Sequence, residues 1–122
     1  MFEVSVESVF AAGHALRDYR GKCENLHGHN YKVRVTVEGE KLDTTGLLLD
    51  FTDVRATLKT LADRIDHQFL NELPPFDQIN PSAENIAKYF YDCLQPQIQK
   101  NGVRLQAVTV WETDTTSATF SP

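Results

Sequence analysis

Two runs of strict alternation constrain this chain more than anything else in it. From Phe2 to Val6, apolar Phe2, Val4 and Val6 alternate with Glu3 and Ser5; from Tyr31 to Glu38, apolar Tyr31, Val33, Val35 and Val37 alternate with Lys32, Arg34, Thr36 and Glu38. Successive strand side chains point to opposite faces, so each run predicts a strand with one apolar and one wet face. The first is expected to continue toward His14 and to pair antiparallel with the second across the polar stretch from Arg17 to Asn25. After the short apolar run Gly46 to Phe51 the period changes. Val54, Leu58, Leu61 and Ile65 share one face of a helix that Asp50 or Thr52 can cap. Pro74-Pro75 breaks the chain, and Asn80-Pro81-Ser82 offers a cap, with proline in the first turn, for a second helix striped by Ile86, Ala87, Phe90, Cys93 and Leu94. Pro96 is placed to end or bend that helix. Asn101-Gly102 marks a turn into the β-branched and aromatic run Leu105 to Trp111, and a last strand is expected from Thr116 to Phe120. This order predicts an α+β fold, a four-stranded antiparallel sheet with two helices, set between strands two and three, on one face. The open edges of such a sheet must be blunted, covered or paired with another chain, so a homo-oligomer is expected.

The chain has 122 residues, an ordinary size for one domain, here 1–122. Its net charge of -5 and scattered basic residues argue against a nucleic-acid partner. No run is long enough to span a membrane, and Met1 to Val9 alternates where a signal peptide would be continuously apolar, so a cytoplasmic location is expected. Cys23 and Cys93 are expected as free thiols, Cys93 as an inert part of a helical stripe.

Three of the four histidines, His14, His27 and His29, fall at adjoining ends of the first two strands. Residues two apart on a strand share a face, about 7 Å apart, so His27 and His29 can aim at one point, with His14 across the hairpin as a third ligand. An isolated H-x-H is weakly specific, and alone would be read as a polar strand start. The third histidine, together with the room that Gly28 is expected to leave, moves the balance to a metal site. Three neutral imidazoles with an open fourth position describe catalytic zinc, whereas structural zinc usually has four protein ligands. Cys23, four residues before His27 and beside Lys22, is placed for a lowered pKa and service as a base. Asp66 beside His67 reads either as a proton relay or as a histidine favourably placed at a helix C-terminus. Glu112, ending an apolar strand, is either at a solvent-facing edge or bonded to a ligand. Arg17, Arg20 and Lys22 read as a solvated loop ahead of phosphate contacts.

Cys23-Glu24-Asn25-Leu26-His27-Gly28-His29-Asn30-Tyr31, with His14 upstream, Asp66-His67, Pro81-Ser82-Ala83-Glu84-Asn85 and Trp111-Glu112-Thr113, resembles the 6-pyruvoyl-tetrahydropterin synthase family over nearly the whole chain. The resemblance implies the tunnelling fold, zinc (Zn2+) on His14, His27 and His29, and a proton-transfer set of Cys23, Asp66 and His67. It implies that Glu112 anchors a pterin ring, with Glu84 and Ser82 near the pterin pocket, although Ala83 replaces a hydroxyl residue often found there. Family members usually form hexamers with sites at subunit boundaries. The short spacing from Cys23 to His27 resembles the queuosine-pathway 6-carboxytetrahydropterin synthases. Glu24 fits the E-x-x-H-G-H pattern of members that form 6-hydroxymethyl-dihydropterin for folate synthesis. The competing expectations are 6-pyruvoyl-tetrahydropterin synthesis and, in a different class, a non-catalytic pterin- or metal-binding module.

Overall fold

Thirteen residues of β1 (Phe2–His14) lie antiparallel to thirteen of β2 (His27–Gly39), with Phe2 opposite Gly39 and His14 opposite His27. The computed structural model from which this is read describes residues 1–18, 21, 25–99 and 102–122. The alternation seen in the sequence decides the faces. Val6, Phe10 and Ala12 of β1, Tyr31, Val33, Val35 and Val37 of β2, and Leu105, Val108 and Val110 of β4 (Val103–Thr113) are buried under two helices. β4 pairs with β2, and β5 (Thr116–Phe120) pairs with β4, both antiparallel.

The sheet has five strands, not the four expected. A two-residue β3 (Gln68–Phe69) adds parallel to the outer edge of β1, opposite Ala12 and Gly13, giving the order β3-β1-β2-β4-β5. Two residues carry no periodicity, so nothing in the sequence marks this strand. It is placed by hydrogen bonds: the Asp66 carboxylate accepts from the Ala11 amide at 2.9 Å, and the His67 amide donates to the Ala11 carbonyl at 2.6 Å.

Helix α1 spans Phe51–Asp63, and of its two cap candidates Asp50 is the one used, its carboxylate accepting from the Thr52 amide at 2.8 Å. Ile65 is buried but lies in the turn beyond the helix. Helix α2 spans Ala83–Ile98, capped by Ser82, whose hydroxyl accepts from the Asn85 amide at 3.2 Å. Pro81 therefore precedes the cap and is not in the first turn. Pro96 neither ends α2 nor sits at its boundary, since the helix runs two residues further. The helix continues past it without the one i→i−4 bond that its missing N–H would have made. Cys93 is half-buried and free; burial raises its thiol pKa, in keeping with an inert side chain.

Leu58, fully buried where α1 meets the sheet, measures the grip of the core. Leu58→Ala is expected to lower the unfolding free energy by about 2–5 kcal/mol, and Leu58→Met by less than about 1.5 kcal/mol, read by urea denaturation.

Candidate active site

The register of the hairpin builds the site. His14 faces His27 directly and Ala12 faces His29, so all three imidazoles emerge on the core face at one end of the sheet. Their nearest ring nitrogens lie within 4.8 Å of one another. His14 is 1% exposed, and His27 and His29 are half-buried.

Two backbone carbonyls then decide where the protons are. His14 Nδ1 lies 2.6 Å from the Pro81 oxygen, and His27 Nδ1 lies 2.7 Å from the Asn25 oxygen. A carbonyl can only accept, so each Nδ1 carries the hydrogen and each neutral ring presents a bare Nε2 lone pair. These two Nε2 atoms stand 2.9 Å apart. Two lone pairs so placed repel unless a cation or a proton lies between them. Two zinc–nitrogen bonds of about 2.0–2.1 Å at a tetrahedral angle would hold such atoms about 3.3 Å apart, so a few tenths of an ångström of movement would admit the ion. The donor set fits zinc.

Burial lowers the pKa of His14, an effect opposed by the Pro81 carbonyl and assisted by the neighbouring His27. Burial also lowers that of His29, with Glu112 opposing. Both rings are therefore neutral near pH 7, the form a metal requires. The approach of Glu112 Oε1 to His14 Nε2, 3.7 Å, is accordingly not a charge pair at that pH. Glu112 follows Val108 and Val110 at two-residue intervals along β4, so the alternation that buries those valines turns it to the same face as the histidines. It shares a hollow with Glu84, Ala83 and Ser117. Glu84 is exposed on the first turn of α2, and the Ser82 hydroxyl beside it is engaged as the helix cap.

His67 does not sit at a helix C-terminus: α1 ends at Asp63, and His67 follows a turn with φ of 59°, in the left-handed region. Its Nδ1 lies 3.0 Å from Asp66 Oδ1, and its side chain is 79% exposed. The Ala11 amide, ahead of His67 itself, holds the Asp66 carboxyl below its ordinary pKa, so the group beside the imidazole is a carboxylate. A concavity is bordered by Gly13, Gly28, His29, His67 and Phe69. Gly28 does not make room for the ligands: a Cβ there would meet only the Ala12 carbonyl, at 3.6 Å, and would point to the face opposite the imidazoles. Arg17 turns its guanidinium onto backbone carbonyls and not outward as a solvated loop residue. Cys23, Glu24, Arg20 and Lys22 lie outside the described residues.

Two features were missed in the sequence. The Pro81 carbonyl is a backbone atom, which no residue pattern advertises. The Tyr31 hydroxyl is buried without a hydrogen-bond partner among the described residues, its ring edge-on to His14 and His29. Burial raises its pKa, so it remains a donor.

Fold and site together define a class: a mainly antiparallel sheet backed by two helices, with three histidines positioned to hold a metal at one end of the sheet. A family model described as 6-pyruvoyl tetrahydropterin synthase matches residues 3–122, and the chain belongs to this family of pterin synthases. It is 35% identical over 129 residues to a 6-carboxy-5,6,7,8-tetrahydropterin synthase of Synechocystis, covering 100% of this chain and 95% of that protein. It is 40% identical over 98 residues to the human 6-pyruvoyl tetrahydrobiopterin synthase, covering 77% of this chain and 66% of that protein. The solved structure of a Caenorhabditis elegans 6-pyruvoyl tetrahydropterin synthase superposes with a TM-score of 0.84 at 29% identity, covering 100% of this chain and 97% of the other. Among the described residues no helix is long and apolar enough to cross a membrane.

The lowered histidine pKa values set a pH dependence. The unfolded chain binds protons at about pH 6.5, whereas folded His14 and His29 bind them only at lower pH. Between those values the unfolded state holds more protons, so stability falls as pH drops. Chelator-treated protein is expected to lose thermal stability on going from pH 7 to pH 5, and His14→Gln to flatten that dependence.

Proposed function

We propose that this chain is a zinc-dependent 6-carboxy-5,6,7,8-tetrahydropterin synthase, converting 7,8-dihydroneopterin triphosphate and one water to 6-carboxytetrahydropterin, acetaldehyde and triphosphate in 7-deazapurine (queuosine) biosynthesis. The observation that carries the reading is the pair of bare Nε2 atoms on His14 and His27, 2.9 Å apart, with His29 beside them and Glu112 facing them. Zinc held by His14, His27 and His29 would supply Lewis-acid polarisation of the substrate's side-chain hydroxyls.

The remaining work falls to side chains. The two oxygens of Glu112 match the adjacent amino and ring N–H donors of a pterin, a charge-assisted pair that fixes the ring's orientation. Glu84 borders the same hollow and is assigned as a further contact, positioned by the helix turn that Ser82 caps. Asp66 orients His67 through Nδ1, leaving Nε2 to exchange a proton with substrate. Cys23 is assigned as the base that removes the first substrate proton. Glu24 takes that role for a second product, 6-hydroxymethyl-dihydropterin. The working form is assigned as a cytoplasmic homo-oligomer, a hexamer by the family resemblance; an open sheet leaves edges for other copies to pair with. The human relative's name favours a second reading, 6-pyruvoyl-tetrahydropterin synthesis by triphosphate elimination on the same residues.

Zinc-loaded protein incubated with 7,8-dihydroneopterin triphosphate is expected to yield 6-carboxytetrahydropterin and acetaldehyde by mass spectrometry. A 6-pyruvoyl product in their place would select the second reading, and undiminished turnover after complete chelation would sink both. Glu112→Gln keeps the shape but removes the charge. Its expected effect is a rise in KM of about tenfold to a hundredfold, from losing charge-assisted hydrogen bonds.

A further inference from the structure

β1 ends at His14, so the strand ladder does not extend past the ring that must be aimed. What aims it is the Pro81 carbonyl, sixty-seven residues away in sequence, on the loop before α2. That carbonyl and that ring stay in register only if the segment after His14 is fastened to the loop, and the fastening is unusually complete.

Asn71 brackets Ala15, with Oδ1 accepting from the Ala15 amide at 2.9 Å and Nδ2 donating to the Ala15 carbonyl at 2.8 Å. Asn80 brackets Arg17 in the same way, at 2.8 and 2.9 Å. A backbone amide only donates and a backbone carbonyl only accepts, so both side-chain amides are oriented without ambiguity. The Arg17 guanidinium donates to the carbonyls of Ile79, Asn71 and Phe76 at 3.1, 3.2 and 2.7 Å, crossing the loop that carries both asparagines. Asn85, in the first turn of α2, donates to the Asn80 carbonyl at 2.8 Å and ties the loop to the helix. Asn80 immediately precedes Pro81. The planar fork of arginine suits several carbonyls at once, a task that the point charge of lysine does poorly.

We propose that Arg17, Asn71 and Asn80 form a positioning clamp for the metal centre, locking the Pro81 carbonyl onto His14 Nδ1 so that His14 Nε2 meets the cation with its lone pair already bare. The clamp rests on the metal reading above and extends it to three residues that touch neither metal nor substrate. Partners that fix the tautomer of a ligating histidine typically govern about 10- to 100-fold in metal affinity. The clamp commits three of the five Arg17 N–H donors to backbone carbonyls.

The test uses the full chain, wild type and the variants Asn80→Ala and Arg17→Lys, with folding monitored by circular dichroism. In chelated, 15N-histidine-labelled protein, long-range proton–nitrogen correlation reads the His14 tautomer; cobalt(II) titration of the same samples reads affinity and, through visible absorption, ligand geometry. Wild type is expected to hold a single Nδ1–H tautomer, and each variant to lose it together with about 10- to 100-fold in cobalt affinity. Folded variants that keep both the tautomer and the affinity overturn the clamp, because a purely structural role would move neither readout. Should Asn80→Ala fail to fold, Arg17→Lys decides by the same two measurements. Wild-type protein that takes up no cobalt overturns the metal reading itself, whereas full uptake by wild type and variants alike overturns only the clamp.

Discussion

Everything at this site depends on two imidazole nitrogens that face each other with no hydrogen to share. In each ring the far nitrogen already donates to a main-chain oxygen, so neither neutral ring can relieve the repulsion by changing tautomer without giving up that bond. A cation removes the conflict and a proton removes it less well, because burial of His14 disfavours the charged ring. The readiness of this pair for a cation is thus written into hydrogen bonds on the far side of the rings.

The bond from His14 in turn depends on the packing of α2. Ser82 caps the helix at its first turn, Asn85 holds the loop before it, and Pro81 points its carbonyl back at β1. The apolar stripe Ile86, Phe90 and Leu94 presses the same helix onto the sheet. Core burial and metal geometry are therefore coupled through one loop, and a change in helix placement reaches His14 directly. On the opposite side of the centre, the same alternation that buries Val108 and Val110 delivers Glu112. Strand parity thus brings the histidines and the carboxylate to one face.

Much of this was legible in the residues. Period-2 alternation located β1 and β2, and once their antiparallel pairing was granted, His14 had to fall near His27 and His29, because strand parity leaves no other face. The change to helical spacing located α1 and α2, and the cap residues Asp50 and Ser82 marked their starts. β3 was not legible, because its position is dictated by contacts of Asp66 and His67 with Ala11, fifty-five residues away in sequence in the case of Asp66. The Pro81 carbonyl was invisible for a different reason: every residue has a carbonyl, and only tertiary structure selects one. Gly28 was misread because its absent side chain was imagined on the ligand face, while parity puts it on the other. Arg17 looked like a loop cation because hydrogen bonds to the main chain leave no trace in composition.

Ala11 takes both the Asp66 and the His67 contact, and it stands three residues before His14 on a single strand. β1 cannot slide against β2 by one step without turning every core side chain outward. The separation between the His67 backbone and the three clustered imidazoles is consequently ruled by the pitch of a β-strand. The two groups keep their spacing for as long as the sheet survives, whatever the surrounding loops do.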